Sequence, residues 1–204
     1  ENEGKAASPI RDLIGAQNVE EAYEIQHINT QRKIEKGWKP VGIKIGLTSY
    51  AVQKQLGVDQ PDYGMLYRET QVQNEGGLDA NELLQPKAEA EIAFILGQDI
   101  EKEIGLEELI NSIAYARCAI EIVGSRIENW DITIADTIAD NASASHFVLG
   151  DDKVELSQLD LVNCKMQLYK NTELTSEGSG KACMDNPLNA TIWLVNTMVS
   201  NGTK

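Results

Sequence analysis

Apolar and polar positions alternate along some stretches of this chain and follow a helical period along others, which predicts strands and helices in one mixed fold. Val41 to Leu47 (VGIKIGL) alternates cleanly: Val41, Ile43, Ile45 and Leu47 share one face, and Gly42, Lys44 and Gly46 share the other. Lys87 to Leu96 (KAEAEIAFIL) alternates too, with Ala88, Ala90, Ile92, Phe94 and Leu96 read as a core face opposite Glu89 and Glu91. A second apolar segment, CAIEIVGSR, starts at Cys118, and LVNCKMQLY, ending at Tyr169, reads as a strand before a KNTE turn and LTSEGSGKA. Asn18 with Glu21 has the form of a capping box, so a helix carries Ala22, Tyr23, Gln26 and Ile34 and stops at Gly37. Ser49 to Leu56 suits a short helix capped by Thr48, Leu106 to Tyr115 suits another, and GVDQPDYG from Gly57 to Gly64 reads as loop. Asp185 or Asn186 caps a last helix with Pro187 in its first turn, running through Trp193 and Val195 to Gly202. Helices and strands do not alternate regularly, so the pattern favours an α+β fold over a doubly wound parallel sheet. Without internal repeat or linker, we expect a single domain over residues 1–204, with a helical part over 1–40 and a β part over 41–204.

Composition narrows the partners. A formal charge of −14 repels phosphate backbones and anionic membrane surfaces, so no nucleic acid and no membrane partner is expected. No apolar run approaches the roughly 18 residues of a spanning helix, and ENEGKAASPIRDL lacks a signal-peptide pattern, so the expectation is a cytoplasmic protein. Cys118, Cys164 and Cys183 are odd in number and widely spaced, which fits reduced structural thiols. Neither GxGxxG nor GxxxxGK[ST] occurs, and GSGKA at 178–182 lacks the first glycine of the latter, so no nucleotide is expected.

Glu89 and Glu91, two residues apart on a strand, project side by side. Like charges that close share a proton, meet Lys or Arg, hold a metal, or lie on a solvated edge strand. Glu121 stands between apolar neighbours in CAIEIV and needs a partner: Arg117, Arg126, or a metal shared with the glutamate pair. Three carboxylates without histidine make an oxygen-only set suited to Mg²⁺ or Mn²⁺. Lys44, flanked on its own face by two glycines, has free space that admits a small substrate or another backbone, or it is a snorkelling edge lysine. Asp62 in QPDYG says little beyond turn chemistry by itself. His27 reads as surface, and His146, in a Ser-rich run, is the one other histidine available to a site. Arg126 pairs either with a ligand carboxylate or with a surface acid.

Taken together, GIKIGLTS, LGVDQPDYG, LQPKAEAEIAFIL, AIEIVGSRI, DTIADNAS and NPLNATIWL closely resemble the 2-keto-4-pentenoate hydratases. Those enzymes stand with the decarboxylases of 4-oxalocrotonate and, more distantly, the fumarylacetoacetate hydrolases. The motifs run in order over nearly the whole chain, from about Ile10 to Gly202. The resemblance implies a fumarylacetoacetase C-terminal-domain-like mixed β-roll or distorted barrel with outer helices. It implies Glu89, Glu91 and Glu121 as ligands of Mg²⁺ or Mn²⁺, with Lys44 and Asp62 as the polar pair beside the substrate. Ser179 and Gly180 in EGSGKA resemble a substrate-side loop, though a plain turn fits them equally. The implied reaction adds water to 2-hydroxypenta-2,4-dienoate, giving 4-hydroxy-2-oxopentanoate in aromatic meta-cleavage catabolism, in a homo-oligomer. A 4-oxalocrotonate-type decarboxylase is the alternative, and Asp62 weighs against it because that pattern has an apolar residue there. Acylpyruvate hydrolysis ranks lower, for want of a clear base other than His146 or a glutamate, and a non-catalytic domain retaining the fold is the reading from another class. Because the family continues past this point through strands that close the roll and a Gly-rich loop, we expect the 204 residues to be part of a longer chain.

Overall fold

Asn18 starts the first long helix much as its sequence predicts. Its side chain accepts from the Glu21 backbone N–H at 3.3 Å, while Glu21 returns the contact to the Asn18 amide at 2.8 Å rather than to the backbone. The structure, a computed structural model, describes residues 4–202. Its elements are α1 (Arg11–Ile14), α2 (Val19–Glu35), β1 (Pro40–Gly46), α3 (Tyr50–Leu56), β2 (Asp62–Tyr67), β3 (Gln71–Val72), β4 (Pro86–Leu96), α4 (Leu106–Ser112), β5 (Ile113–Gly124), α5 (Ile134–Ala139), β6 (Ala144–Leu149), β7 (Lys165–Lys170), β8 (Glu173–Ser179) and α6 (Pro187–Ser200). The strands form an antiparallel β1–β2 ribbon, a sheet ordered β3-β6-β5-β4, and a β7–β8 hairpin. Within the larger sheet only β3 and β6 run parallel.

Burial follows the two periods. Ile43, Ile45 and Tyr63 turn the back of the β1–β2 ribbon onto Trp193, Leu194 and Met198 of α6. That leaves Lys44 and Asp62 on the front, since register partners share a face and Lys44 pairs with Gly64 while Gly46 pairs with Asp62. Helix α5 is buried all round, its Ile134, Ala135 and Ile138 packing on Ala22 of α2. The core face read into β4 is covered only in part. Ile92 and Phe94 pack with Leu109, Ile113, Leu161 and Leu188, whereas Ala88 is exposed and Leu96 is 46% exposed, because α4 and α6 reach only the middle of the strand.

Several sequence readings shift. The helix predicted to Tyr115 ends at Ser112, because from Ile113 the chain pairs with β4, Ile113 opposite Leu96 and Tyr115 opposite Ile95. The strand predicted from Leu161 starts at Lys165. Ser49, not Thr48, holds the cap position of α3 and makes no side-chain cap bond. Asp62 is not in a turn; it is the first residue of β2, because pairing with Gly46 draws it into the ribbon. Among the described residues the three cysteines are free, and no helix is long and apolar enough to cross a membrane.

Candidate active site

The β4–β5 register sets the acids. Glu89 lies directly opposite Glu121, and Glu91 follows two residues along the same face of β4. One carboxylate oxygen from each of the three lies within 4.8 Å of the others. Glu121 is 5% exposed, while Glu89 and Glu91 remain open to solvent. Lys44 reaches across from β1. Its Nζ lies 3.5 Å from Glu121 Oε2 and donates to the Ala142 carbonyl at 2.9 Å. Thus the partner sought for Glu121 is Lys44, and neither arginine serves it. Arg117 donates to the Gly150 carbonyl and lies 3.7 Å from Asp151, while Arg126 pairs with the largely buried Asp140, which is neither one of the three clustered glutamates nor a surface acid.

Asp62, 2% exposed, enters beside Lys44 from β2. A Cβ on Gly46 would fall onto Asp62 Oδ1 and lie 3.2 Å from Lys44 Nζ. The space that the sequence showed beside Lys44 is therefore taken at Gly46 by the Asp62 carboxylate, not left to a substrate. Gly64 is constrained in the same way, since a Cβ there would strike the Asn141 carbonyl.

That carbonyl belongs to an uncommon turn. Asn141, Ala142 and Ser143 are consecutive left-handed residues, with φ of 57°, 50° and 57°. Such a conformation costs non-glycine residues roughly 1–2 kcal/mol each, least for Asn, and persists only when neighbours hold it. Asn141 grips β2 by accepting from Met65 N at 2.7 Å and donating to Met65 O at 2.9 Å. The Ser143 and Thr137 hydroxyls lie 3.3 Å apart, and Thr137 is near enough to Asp62 to favour its carboxylate form.

Electrostatics follow from one cation among four acids. Burial alone would lower the Lys44 ammonium, but Glu121, Asp62, Glu89 and Glu91 outweigh it and raise its pKa. Burial pushes the Asp62 carboxyl up, against Lys44 and a backbone N–H. Burial also pushes Glu121 up to about 7, with Lys44 opposing and Glu89 adding repulsion. Glu91 rises to about 7 from burial among protein atoms and then from Glu121 and Glu89, although solvent still reaches its side chain. Asp62 Oδ1 and Glu121 Oε1 are buried without a hydrogen-bond partner. A convergent, oxygen-only carboxylate set with an orphaned buried oxygen and excess negative charge fits a hard divalent cation.

Lys44, Asp62, Glu89, Glu91 and Glu121 therefore come together from four strands. Ser179 and Gly180 make no recorded hydrogen bond to any of them: Ser179 is exposed opposite Lys165, and Gly180 is buried where a Cβ would strike the Leu161 carbonyl. Slightly further on, Met184 N donates to Thr48 O at 3.0 Å, and Cys183 is near enough to Thr48 and Glu91 for both to influence its thiol, which burial pushes up. His146 pairs in register with Ile122, so it faces away from Glu121, and its Nδ1 lies 2.9 Å from Ser145 Oγ. His27 is exposed on α2. Sequence reasoning missed Cys183, Thr137 and Asn141; only the last carried a local signal, since Asn tolerates left-handed backbone.

By fold the chain is similar to proteins of the fumarylacetoacetate hydrolase class. A protein of Yersinia pestis CO92 assigned to that family superposes with a TM-score of 0.55 over 76% of this chain and 73% of its own, at 11% identity, a likeness of fold alone. The 4-oxalocrotonate decarboxylase of Pseudomonas putida G7, solved with magnesium and adipate, superposes with a TM-score of 0.91 at 31% identity over 97% of this chain and 76% of its own. No family model matches the chain. 2-Keto-4-pentenoate hydratase 1 of Dechloromonas aromatica strain RCB is 48% identical over 201 residues, covering 98% of this chain and 76% of that protein. The chain belongs to the 2-keto-4-pentenoate hydratase family.

Proposed function

We infer that this chain is a metal-dependent hydro-lyase that adds water to 2-hydroxypenta-2,4-dienoate, giving 4-hydroxy-2-oxopentanoate in aromatic meta-cleavage catabolism. The observation that carries the reading beyond kinship is Asp62, a buried carboxylate with an unpartnered oxygen set beside Lys44 and the three glutamates. A water-adding enzyme needs a polar group there, whereas loss of CO₂ from a 2-oxo acid does not.

Glu89, Glu91 and Glu121 would hold the divalent ion, Mg²⁺ or Mn²⁺ by donor type. When bound, it supplies positive charge that favours a 2-oxo acid and the enolate charge developing at its 2-oxygen. The chain's own groups handle the protons. Overall, the proton on the 2-hydroxyl oxygen is lost and one is gained at C5, then the oxygen of water bonds to C4 and a proton ends on C3. One water is gained and nothing is released. Lys44, held protonated by its four acidic neighbours, is a donor to the substrate. Asp62, raised by burial, is placed to accept a proton from water or from the 2-hydroxyl and to return it.

The test follows loss of diene absorbance of freshly generated 2-hydroxypenta-2,4-dienoate with Mg²⁺ or Mn²⁺, with and without chelator. Chelator-sensitive conversion to 4-hydroxy-2-oxopentanoate is expected. Release of CO₂ from 4-oxalocrotonate, with the dienoate untouched, would transfer the assignment to the decarboxylase, and silence with both would leave a domain that keeps the fold alone.

A further inference from the structure

We propose that Asn141 is a positioning residue for this reaction: its side chain clamps the left-handed turn Asn141–Ser143 to β2, so that the turn holds Lys44 and Asp62 in one geometry. The proposal rests on the roles given above to those two residues. The turn touches Lys44 directly and holds the strand that carries Asp62. Lys44 Nζ donates to the Ala142 carbonyl at 2.9 Å, its shortest contact, and Asn141 bonds both backbone groups of Met65 on β2, the strand that Asp62 begins. The turn thus supplies the acceptor of the ammonium and fixes itself to the strand of Asp62 at once.

Nothing about three left-handed residues in a row is self-sustaining. Asp140, before the turn, is tied to Arg126, and Ala144, after it, is registered opposite Val123 in the sheet. Inside the turn, Asn141 is the residue that grips a strand: its amide oxygen accepts from Met65 N at 2.7 Å and its amide nitrogen donates to Met65 O at 2.9 Å. That two-point contact imitates a strand pairing and sits one residue from Gly64, whose missing Cβ leaves room for the Asn141 carbonyl. Only a short amide offers both a donor and an acceptor at this reach, since Asp would lose the donor and add a further negative charge near the acids.

Asn141→Gly separates positioning from folding, because glycine adopts a positive φ freely and only the grip is removed. With Mn²⁺ as the metal, kcat is expected to fall about 10- to 100-fold, the loss typical of a small misplacement of reacting groups. KM and the Mn²⁺ dissociation constant read from free-ion EPR should stay close to those of the parent, while the melting temperature falls by a few degrees because Met65 N–H and C=O lose their partners. Asn141→Asp, which loses the donor and adds a negative charge near the acids, should lose kcat as well. In a Lys44→Met background most of the Asn141→Gly effect should vanish, since a residue acting through Lys44 has little left to position. A kcat within about twofold of the parent, full additivity with Lys44→Met, or loss of fold in both Asn141 variants would overturn the proposal. Lys44→Met with full turnover would instead strike the reading of the site on which it rests.

Discussion

Replacing Lys44 by Met tests the site most directly, because it deletes the one cation among four acids while nearly keeping side-chain volume. The ammonium lies 3.5 Å from Glu121 Oε2, and at an effective dielectric constant of about 20 such a pair attracts by about 5 kcal/mol, largely offset by the cost of burying both charges. Two consequences for metal binding oppose each other. A fixed positive charge that repels a divalent ion disappears, which tightens binding. The same loss lets the carboxyls of Glu91 and Glu121, already at about 7 in the metal-free protein, rise further, so protons compete harder with the ion. At pH 8, where fewer protons compete, Mn²⁺ affinity should stay within about tenfold of the parent, and at pH 6 it should fall below the parent's. Turnover has no such compensation, since Met can neither donate nor take a proton, and should drop about 10²- to 10⁴-fold. The buried Ala142 carbonyl also loses its donor, for about 1–3 kcal/mol of stability. Diene-absorbance kinetics at saturating Mn²⁺, beside an EPR titration of the metal, measure both effects. Turnover within tenfold of the parent, with metal bound, would refute the reasoning.

Other changes probe the remaining geometry. Asp62→Asn replaces a buried carboxylate that has one unpartnered oxygen, so the melting temperature should hold or rise while kcat falls about 10²-fold or more; unchanged kcat would remove Asp62 from the chemistry. Gly46→Ala drives a methyl into that carboxylate and should cost about 1–3 kcal/mol of stability as well as most turnover, seen by thermal melting and kcat; a silent substitution would contradict the close packing. Glu91 and Glu121 have folded-state pKa values above the ordinary value of 4.5, so in chelator the folded state gains stability from their protonation at low pH and loses it as pH rises from about 4.5 through about 7. Metal-free melting temperatures should therefore fall over that window and recover on adding Mn²⁺; a flat profile would count against the buried acids. Asp136, fully buried, accepts from Thr133 N at 2.8 Å and Arg11 Nη1 at 2.9 Å, and these bonds lower its carboxyl against the opposing effect of burial. Its contribution is present above the unfolded pKa near 4 and is lost as pH falls through the lower folded one. Asp136→Ala should cost about 2 kcal/mol and lower the melting temperature by about 4–8 °C at neutral pH, without changing Mn²⁺ affinity.

Much of the site was legible because strand periodicity is local. Alternation in KAEAEIAFIL placed Glu89 and Glu91 on one face, and alternation in VGIKIGL set Lys44 apart from Ile43 and Ile45, as β4 and β1 bear out. Caps were readable for the same reason: Asn18 and Asn186 bond backbone N–H groups only two or three residues away. Kinship of motifs then supplied what periodicity does not, namely that Lys44, Asp62 and Glu121 belong with the glutamate pair. Readings failed where a distant partner outvoted local preference. Leu106 to Tyr115 has a helical pattern throughout, yet its last three residues belong to β5, where Ile113 and Tyr115 pair with β4. Asp62 has good turn chemistry on both sides, yet Gly46 takes it into a strand.

By itself, then, the sequence determined which residues share a face and where helices begin, since both depend on contacts within a few residues. Only the tertiary structure decided that Glu121 stands opposite Glu89, that Lys44 is the partner of Glu121, and that Gly46 makes room for Asp62 rather than for a substrate. It alone bent Asn141 to Ser143 into a left-handed turn whose Ala142 carbonyl meets Lys44 from 98 residues away. Strand register and long-range packing make these choices together, and neither is written in the spacing of any one segment.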